Sequence, residues 1–132
     1  MIRAKKVSQL LLTLEDKPGL LAQISDLIAS HNINIDNMYA YSKEGKAYFM
    51  IITNNNEEIK NIFKEKKWKV DEEYVITVDL ENRPGALRNI AVQLKEKKID
   101  IKYCYGTSYE GEGPCHFIFK AADNNKALLS LK

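Results

Sequence analysis

The apolar positions of this chain change period several times, and each change predicts an element. Val7 to Leu14 (VSQLLLTL) is a β-prone run that stops at charged residues. From Leu20 the period becomes 3.6, with Leu20, Leu21, Ile24, Leu27 and Ile28 on one stripe, which predicts an amphipathic helix opened by Pro18-Gly19. Alternation returns at Ile33, Ile35 and Tyr39, predicting a second strand, and Ala47 to Thr53 predicts a third after a turn containing Gly45. Asn54-Asn55-Asn56 is a polar cap for a helix over Glu57 to Lys67, with Ile59, Ile62 and Phe63 inward. Trp68 to Val70 reads as a short closing strand, so the first half predicts β-α-β-β-α-β.

The pattern then starts again. Leu14-Glu15-Asp16-Lys17-Pro18-Gly19 aligns with Leu80-Glu81-Asn82-Arg83-Pro84-Gly85 at an offset of 66 positions. The offset holds without a gap as far as Tyr39 and Tyr105, and nine of those 26 pairs are identical, which identifies an internal duplication. In the second copy Tyr74 to Leu80 predicts a strand, Leu87, Ile90, Ala91 and Leu94 keep the helical stripe, and Gln93 replaces Leu27. Ile99, Ile101, Tyr103 and Tyr105 alternate as a second strand, and a longer Gly111-Glu112-Gly113-Pro114 turn precedes a third, Cys115 to Lys120. Asp123-Asn124-Asn125 mirrors the asparagine cap, but only Lys126 to Lys132 follow it. The second copy is therefore short of a closing strand. Either the unit is shortened or another segment completes its sheet, and Ile2 to Lys6 is the candidate stand-in. The repeat predicts two domains, 1–72 and 73–132, joined by Val70-Asp71-Glu72-Glu73-Tyr74 with almost no linker and hence packed together.

Composition mainly excludes. A formal charge of +2, from 20 basic and 18 acidic residues, points to no polyanionic partner. The basic clusters Lys64–Lys69 and Lys95–Lys98 fall at predicted helix C-termini, where lysine complements the macrodipole; His31 falls at such an end too. Tyr39, Tyr41, Tyr103, Tyr105 and Tyr109 lie on or near the two second strands, whereas a base-stacking sheet of this order would carry aromatics on strands that here are aliphatic. Those tyrosines read as the border of an interface or pocket, with no nucleic-acid partner. No stretch approaches the roughly 20 apolar residues that span a bilayer, and Met1–Lys6 lacks a following apolar signal segment, so a soluble cytoplasmic protein is expected, with no membrane partner. Cys104, Cys115 and His116 offer three soft ligands without a second histidine or a paired-cysteine motif, and Cys104 takes the apolar position of Met38. Buried reduced thiols are expected, with no metal and no cofactor. No Ser-His-Asp set or acid–base pair is apparent, so the chain does not read as an enzyme. Tyr48 to Ile52 is apolar on both faces, as is much of His116 to Phe119; one face meets helices, and the other predicts a homodimer.

The chemistry concentrates in the loop Glu15-Asp16-Lys17-Pro18-Gly19-Leu20-Leu21 and its copy. Proline fixes φ, glycine permits close backbone approach, and the helix start offers unpaired N–H groups with a partial positive charge. Asp16 and Asn82 can accept from an ammonium or cap the helix, so the loop is either a seat for a small zwitterion or a plain turn. A strand followed by Asp-x-Pro-Gly-x-Leu, a helix, and then His31-Asn32-Ile33-Asn34-Ile35 resembles the ACT domain; Asn82 to Lys98-Ile99-Asp100-Ile101 repeats it. The chain resembles small stand-alone tandem-ACT proteins. That resemblance implies an α+β fold of two ferredoxin-like βαββαβ units packed side by side, the second truncated, and non-catalytic, allosteric binding of an amino acid at domain interfaces. Carried over, the ligand-binding positions are Asp16, Lys17, Pro18, Gly19, Leu20 and Leu21 with Asn37, Met38 and Tyr39, and Asn82, Arg83, Pro84, Gly85, Ala86 and Leu87 with Tyr103, Cys104 and Tyr105. Asn82 for Asp16 and Ala86 for Leu20 make the first loop the stronger candidate. The alternative is an interaction module that regulates an enzyme or transporter without binding a ligand.

Overall fold

The computed structural model describes residues 2–108 and 113–131. Along the chain run β1 (Arg3–Glu15), α1 (Leu20–Ser30), β2 (Ile35–Lys43), β3 (Lys46–Thr53), α2 (Asn56–Glu65), β4 (Lys69–Glu81), α3 (Ala86–Glu96), β5 (Ile101–Ser108), β6 (Pro114–Ala121) and α4 (Asn124–Ser130). They fall into two compact units: a first, Ser8–Glu73, and a second made of Met1–Val7 with Tyr74–Lys132. The first seven residues, assigned to the first domain on sequence, thus group with the second unit. Gly111 and Glu112 of the expected turn, and Tyr109, lie outside the described residues. No described helix is long and apolar enough to cross a membrane.

In the first unit the strand order is β2-β3-β1-β4. β1 pairs antiparallel with β3, Leu12 opposite Phe49, and β3 with β2, Tyr41 opposite Tyr48. Period-2 alternation sends Leu10, Leu12, Phe49 and Ile51 to one face, where they pack on Leu20, Ile24 and Ile28 of α1 and Ile59 and Phe63 of α2. Trp68 and Val70 close that core. They do not form a separate short strand, because β4 runs without a break through Asp71-Glu72-Glu73. That acidic stretch contains no Gly or Pro to end an extended chain. Glu72 is held by the Ser8 hydroxyl at 2.6 Å and the Lys60 ammonium at 3.1 Å, and these donors lower its carboxyl pKa below the usual range.

In the second unit the order is β1-β4-β6-β5, with Arg3–Val7 supplying the β1 part. Ile2 and Ala4 pack on the core of Ile76, Val78, Leu80, Ile90, Leu94 and Phe119, as Trp68 and Val70 do in the first unit. The N-terminal segment is therefore the stand-in strand. Both units share a bulge in the strand after the first helix, at Ile35/Asn37 and Ile101/Tyr103. They also share one asparagine device. Asn56 accepts from the Thr53 N–H at 2.8 Å and donates to the Ser8 carbonyl at 2.8 Å. Asn124 accepts from the Ala121 N–H at 3.0 Å and donates to the Tyr74 carbonyl at 2.6 Å. One residue earlier Asn55 and Asp123 are the helix N-caps. The two thiols differ in burial: Cys115 is buried, but Cys104, expected in an apolar slot, is exposed, its side chain being shorter than that of Met38 on the equivalent edge strand.

Three helices end alike. The N–H groups of Ile33, Trp68 and Ile99 reach back to the carbonyls of Ile28, Phe63 and Leu94, each after a left-handed residue: Asn32 (φ 56°), Lys67 (φ 60°) and Lys98 (φ 56°). This is the Schellman closure with its apolar contact, and the Phe63 and Trp68 rings lie 5.6 Å apart. Asparagine tolerates left-handed φ, whereas a lysine there costs about 1 kcal/mol relative to glycine. Lys98→Gly is therefore expected to stabilise the protein by roughly 0.5–1 kcal/mol in denaturant unfolding; an unchanged or lowered midpoint would overturn that reading of the helix end.

Candidate functional site

In the first unit the loop between β1 and α1 is tied to the β2–β3 hairpin. Glu15 pairs with Lys46 in the ladder and its carboxylate bridges to the Lys46 ammonium. One residue on, the Asp16 N–H donates to the Gly45 carbonyl at 2.9 Å. Glu44 and Gly45, both at positive φ (52° and 81°), make the two-residue turn that suits strand twist. The loop therefore faces the last residues of β2. At its far end Gly19 and Gly85 adopt φ of 91° and 88° and leave both helices without a side-chain cap, although the Ala86 N–H that opens α3 is taken by the Arg83 carbonyl at 3.2 Å. A Cβ at either glycine would meet nothing within 4 Å, so the backbone conformation, not crowding, demands glycine there.

A cleft of about 300 Å³ opens beside this loop in the first unit, lined by Asp16, Lys17, Gly19, Leu20 and Leu21 and by Ala40, Tyr41, Ser42, Ala47 and Phe49. The second unit holds its counterpart, about 390 Å³, lined by Asn82, Arg83, Gly85, Ala86, Leu87 and Arg88 and by Gly106, Thr107, Ser108, Cys115 and Phe117. Position for position these are the same cleft twice. The loop residues expected from the sequence line them, apart from Pro18 and Pro84, which shape the turn. On the strand side the clefts meet Ala40–Ser42 and Gly106–Ser108, three residues beyond Asn37–Tyr39 and Tyr103–Tyr105. The signal was present in the sequence: a tight turn at Gly45 places the end of β2, not its start, beside the end of β1.

Asn37 and Met38 are half-buried, with Met38 against the helix-facing core, and Tyr39 is exposed. Tyr39, Tyr41 and Tyr48 form a run of rings with centroids 5.5 and 5.1 Å apart. Burial pushes the Tyr105 hydroxyl well above the usual tyrosine range, and partial desolvation pushes the Cys104 thiol up; neither group is an anion at neutral pH. Among the described residues no three His, Cys, Asp or Glu side chains converge as a metal site.

The first-unit loop carries the sequence likeness as well. Residues 8–67 match the family model described as the ACT domain. Over that segment, just under half of the chain, the sequence is similar to the ACT domain. No curated relative matches the sequence. Among solved structures, a protein from Bacteroides thetaiotaomicron is similar with a TM-score of 0.89 and 21% identity, over 97% of this chain and 88% of that one. Aspartokinase alpha and beta subunits follow at 0.68 and 18%, over 98% and 93%. The ligand-free regulatory subunit of aspartate kinase from Thermus thermophilus stands at 0.65 and 14%, over 93% and 89%. These likenesses show the fold alone.

The copies differ at the cleft floor. Gly106 stands where the first unit has Ala40, and a Cβ there would lie 2.2 Å from the Phe117 ring and 2.6 Å from the His116 carbonyl. Gly106→Ala should therefore cost about 1–3 kcal/mol by overpacking, whereas Gly19→Ala should cost about 1–2 kcal/mol through φ alone. Chemical denaturation separates them, since Gly19→Asn should recover part of its loss and Gly106→Asn none; recovery at both would refute the distinction.

Proposed function

We propose that the chain is a non-catalytic regulatory protein of two ACT domains, approximately 1–72 and 73–132, whose loop clefts bind a small ligand, an amino acid in the first. The observation that carries this is the recurrence of one cleft at both Pro-Gly loops, each beside an uncapped helix start. In the first domain an Asp16 carboxylate, a Lys17 ammonium and the open N–H groups of α1 supply opposite charges for the two ends of a zwitterion. Leu20, Leu21 and Phe49 supply an apolar wall for its side chain. The aspartate kinase subunit of similar fold is described as regulatory, which supports the same role here. Occupancy shifts whichever equilibrium distinguishes bound from free forms, and so is passed on to an enzyme or transporter.

A thermal-shift screen of the twenty amino acids tests this. At ten times its Kd a ligand adds on the order of 1.4 kcal/mol, or a rise of roughly 5 °C, and Asp16→Ala should abolish it. If none shifts the midpoint at millimolar concentration, the amino-acid reading fails and the non-binding interaction module remains.

The exposed rings of Tyr39 and Tyr41 are the surface we propose for homodimerisation. Met50, Ile52 and Ile118, whose apolar character prompted that expectation, are themselves buried within the chain. Light scattering should show a dimer that Tyr39→Lys with Tyr41→Lys dissociates; a monomer at micromolar concentration counts against it.

A further inference from the structure

The two clefts occupy the same place in their units but differ in charge. In the first, Asp16 offsets Lys17. In the second, Asn82 replaces the carboxylate, Arg83 replaces the lysine, and Arg88 stands where the first copy has Ala22. Two guanidinium groups therefore line a cleft that has no carboxylate among its lining residues. Arg83 gives its Nε to Glu81 at 3.5 Å, which leaves its terminal nitrogens for other acceptors. Arg88 has no ion-pair partner among the described residues. Opposite them Thr107 and Ser108 bring hydroxyl donors, where the first cleft has Tyr41 and Ser42. Ala86 for Leu20 and Gly106 for Ala40 remove side-chain bulk from the wall and floor, in keeping with the larger volume, about 390 against 300 Å³.

Such a lining repels an ammonium and favours a ligand of double negative charge. Guanidinium forks match carboxylate and phosphate oxygens, and the start of α3, which no side chain caps, adds a partial positive charge of the same sense. We infer that the second-unit cleft binds a small dianion without an amino group, a dicarboxylate or a phosphate, so that one chain reads two ligands of different charge. The inference rests on the reading of these clefts as ligand sites and adds the ligand class of the second.

Calorimetric titration of the intact protein with succinate and, separately, with inorganic phosphate tests it against sodium chloride at equal ionic strength. One of the two should bind, and which one does identifies the anion type. Arg88→Ala and Asn82→Asp should each weaken that binding by about tenfold or more, while Asp26→Asn on the exposed side of α1, outside both clefts, leaves it unchanged. Absence of binding by both anions at millimolar concentration overturns the inference, as does binding that survives both second-cleft substitutions. The amino-acid reading fails separately, through the first cleft and its Asp16 dependence, so the two failures are distinguishable.

Discussion

Backbone hydrogen bonding at the inner edge of each unit is the constraint on which the rest depends. A strand that carries a core face must have neighbours on both sides, or its N–H and C=O groups lie open beside apolar surface. The first unit meets this with the start of β4 beside β1; the second has no strand after α4 among the described residues and meets it with Arg3–Val7. Once those edges are paired, the alternating residues of β1 and β4 face their helices, and the loops that follow Glu15 and Glu81 leave from fixed points. The position of each cleft follows.

Much of this was legible in the residues. The β-prone run VSQLLLTL and the 3.6-residue stripe from Leu20 to Ile28 mark a strand and a helix that bury together, and the offset of 66 transfers them to the second copy. The asparagine caps were legible because Asn55 and Asp123 act locally. Continuity of β4 was not, since Asp71-Glu72-Glu73 looks like a break until Ser8 and Lys60 are seen to hold Glu72. The strand residues that line the clefts lie three positions beyond those carried over from the resemblance, and that offset follows from the tight Glu44-Gly45 turn, of which only the glycine stands out in the sequence. The exposure of Cys104 follows from its shorter side chain, which its alignment with Met38 does not reveal.

Duplication also explains how the clefts could diverge. The features that build the loop, proline, left-handed glycine, a helix without a side-chain cap and a return to the hairpin, are backbone features common to both copies. Those that differ, Asp16 and Asn82 or Ala22 and Arg88, are side chains at the mouth that no core contact fixes. Packing holds the shape while the charge is free to change.

The stand-in strand has a consequence for the order in which the protein is made. The second unit is in effect a circularly permuted copy of the first, its closing strand translated before the first unit and the rest beginning only at Tyr74. On a ribosome Ser8–Glu73 can complete its core while the segment before it waits unpaired, and that segment finds its neighbour only after β4 emerges. The long loop closure this entails makes the second unit the slower of the two to form. The segment synthesised before the first unit is placed only after it.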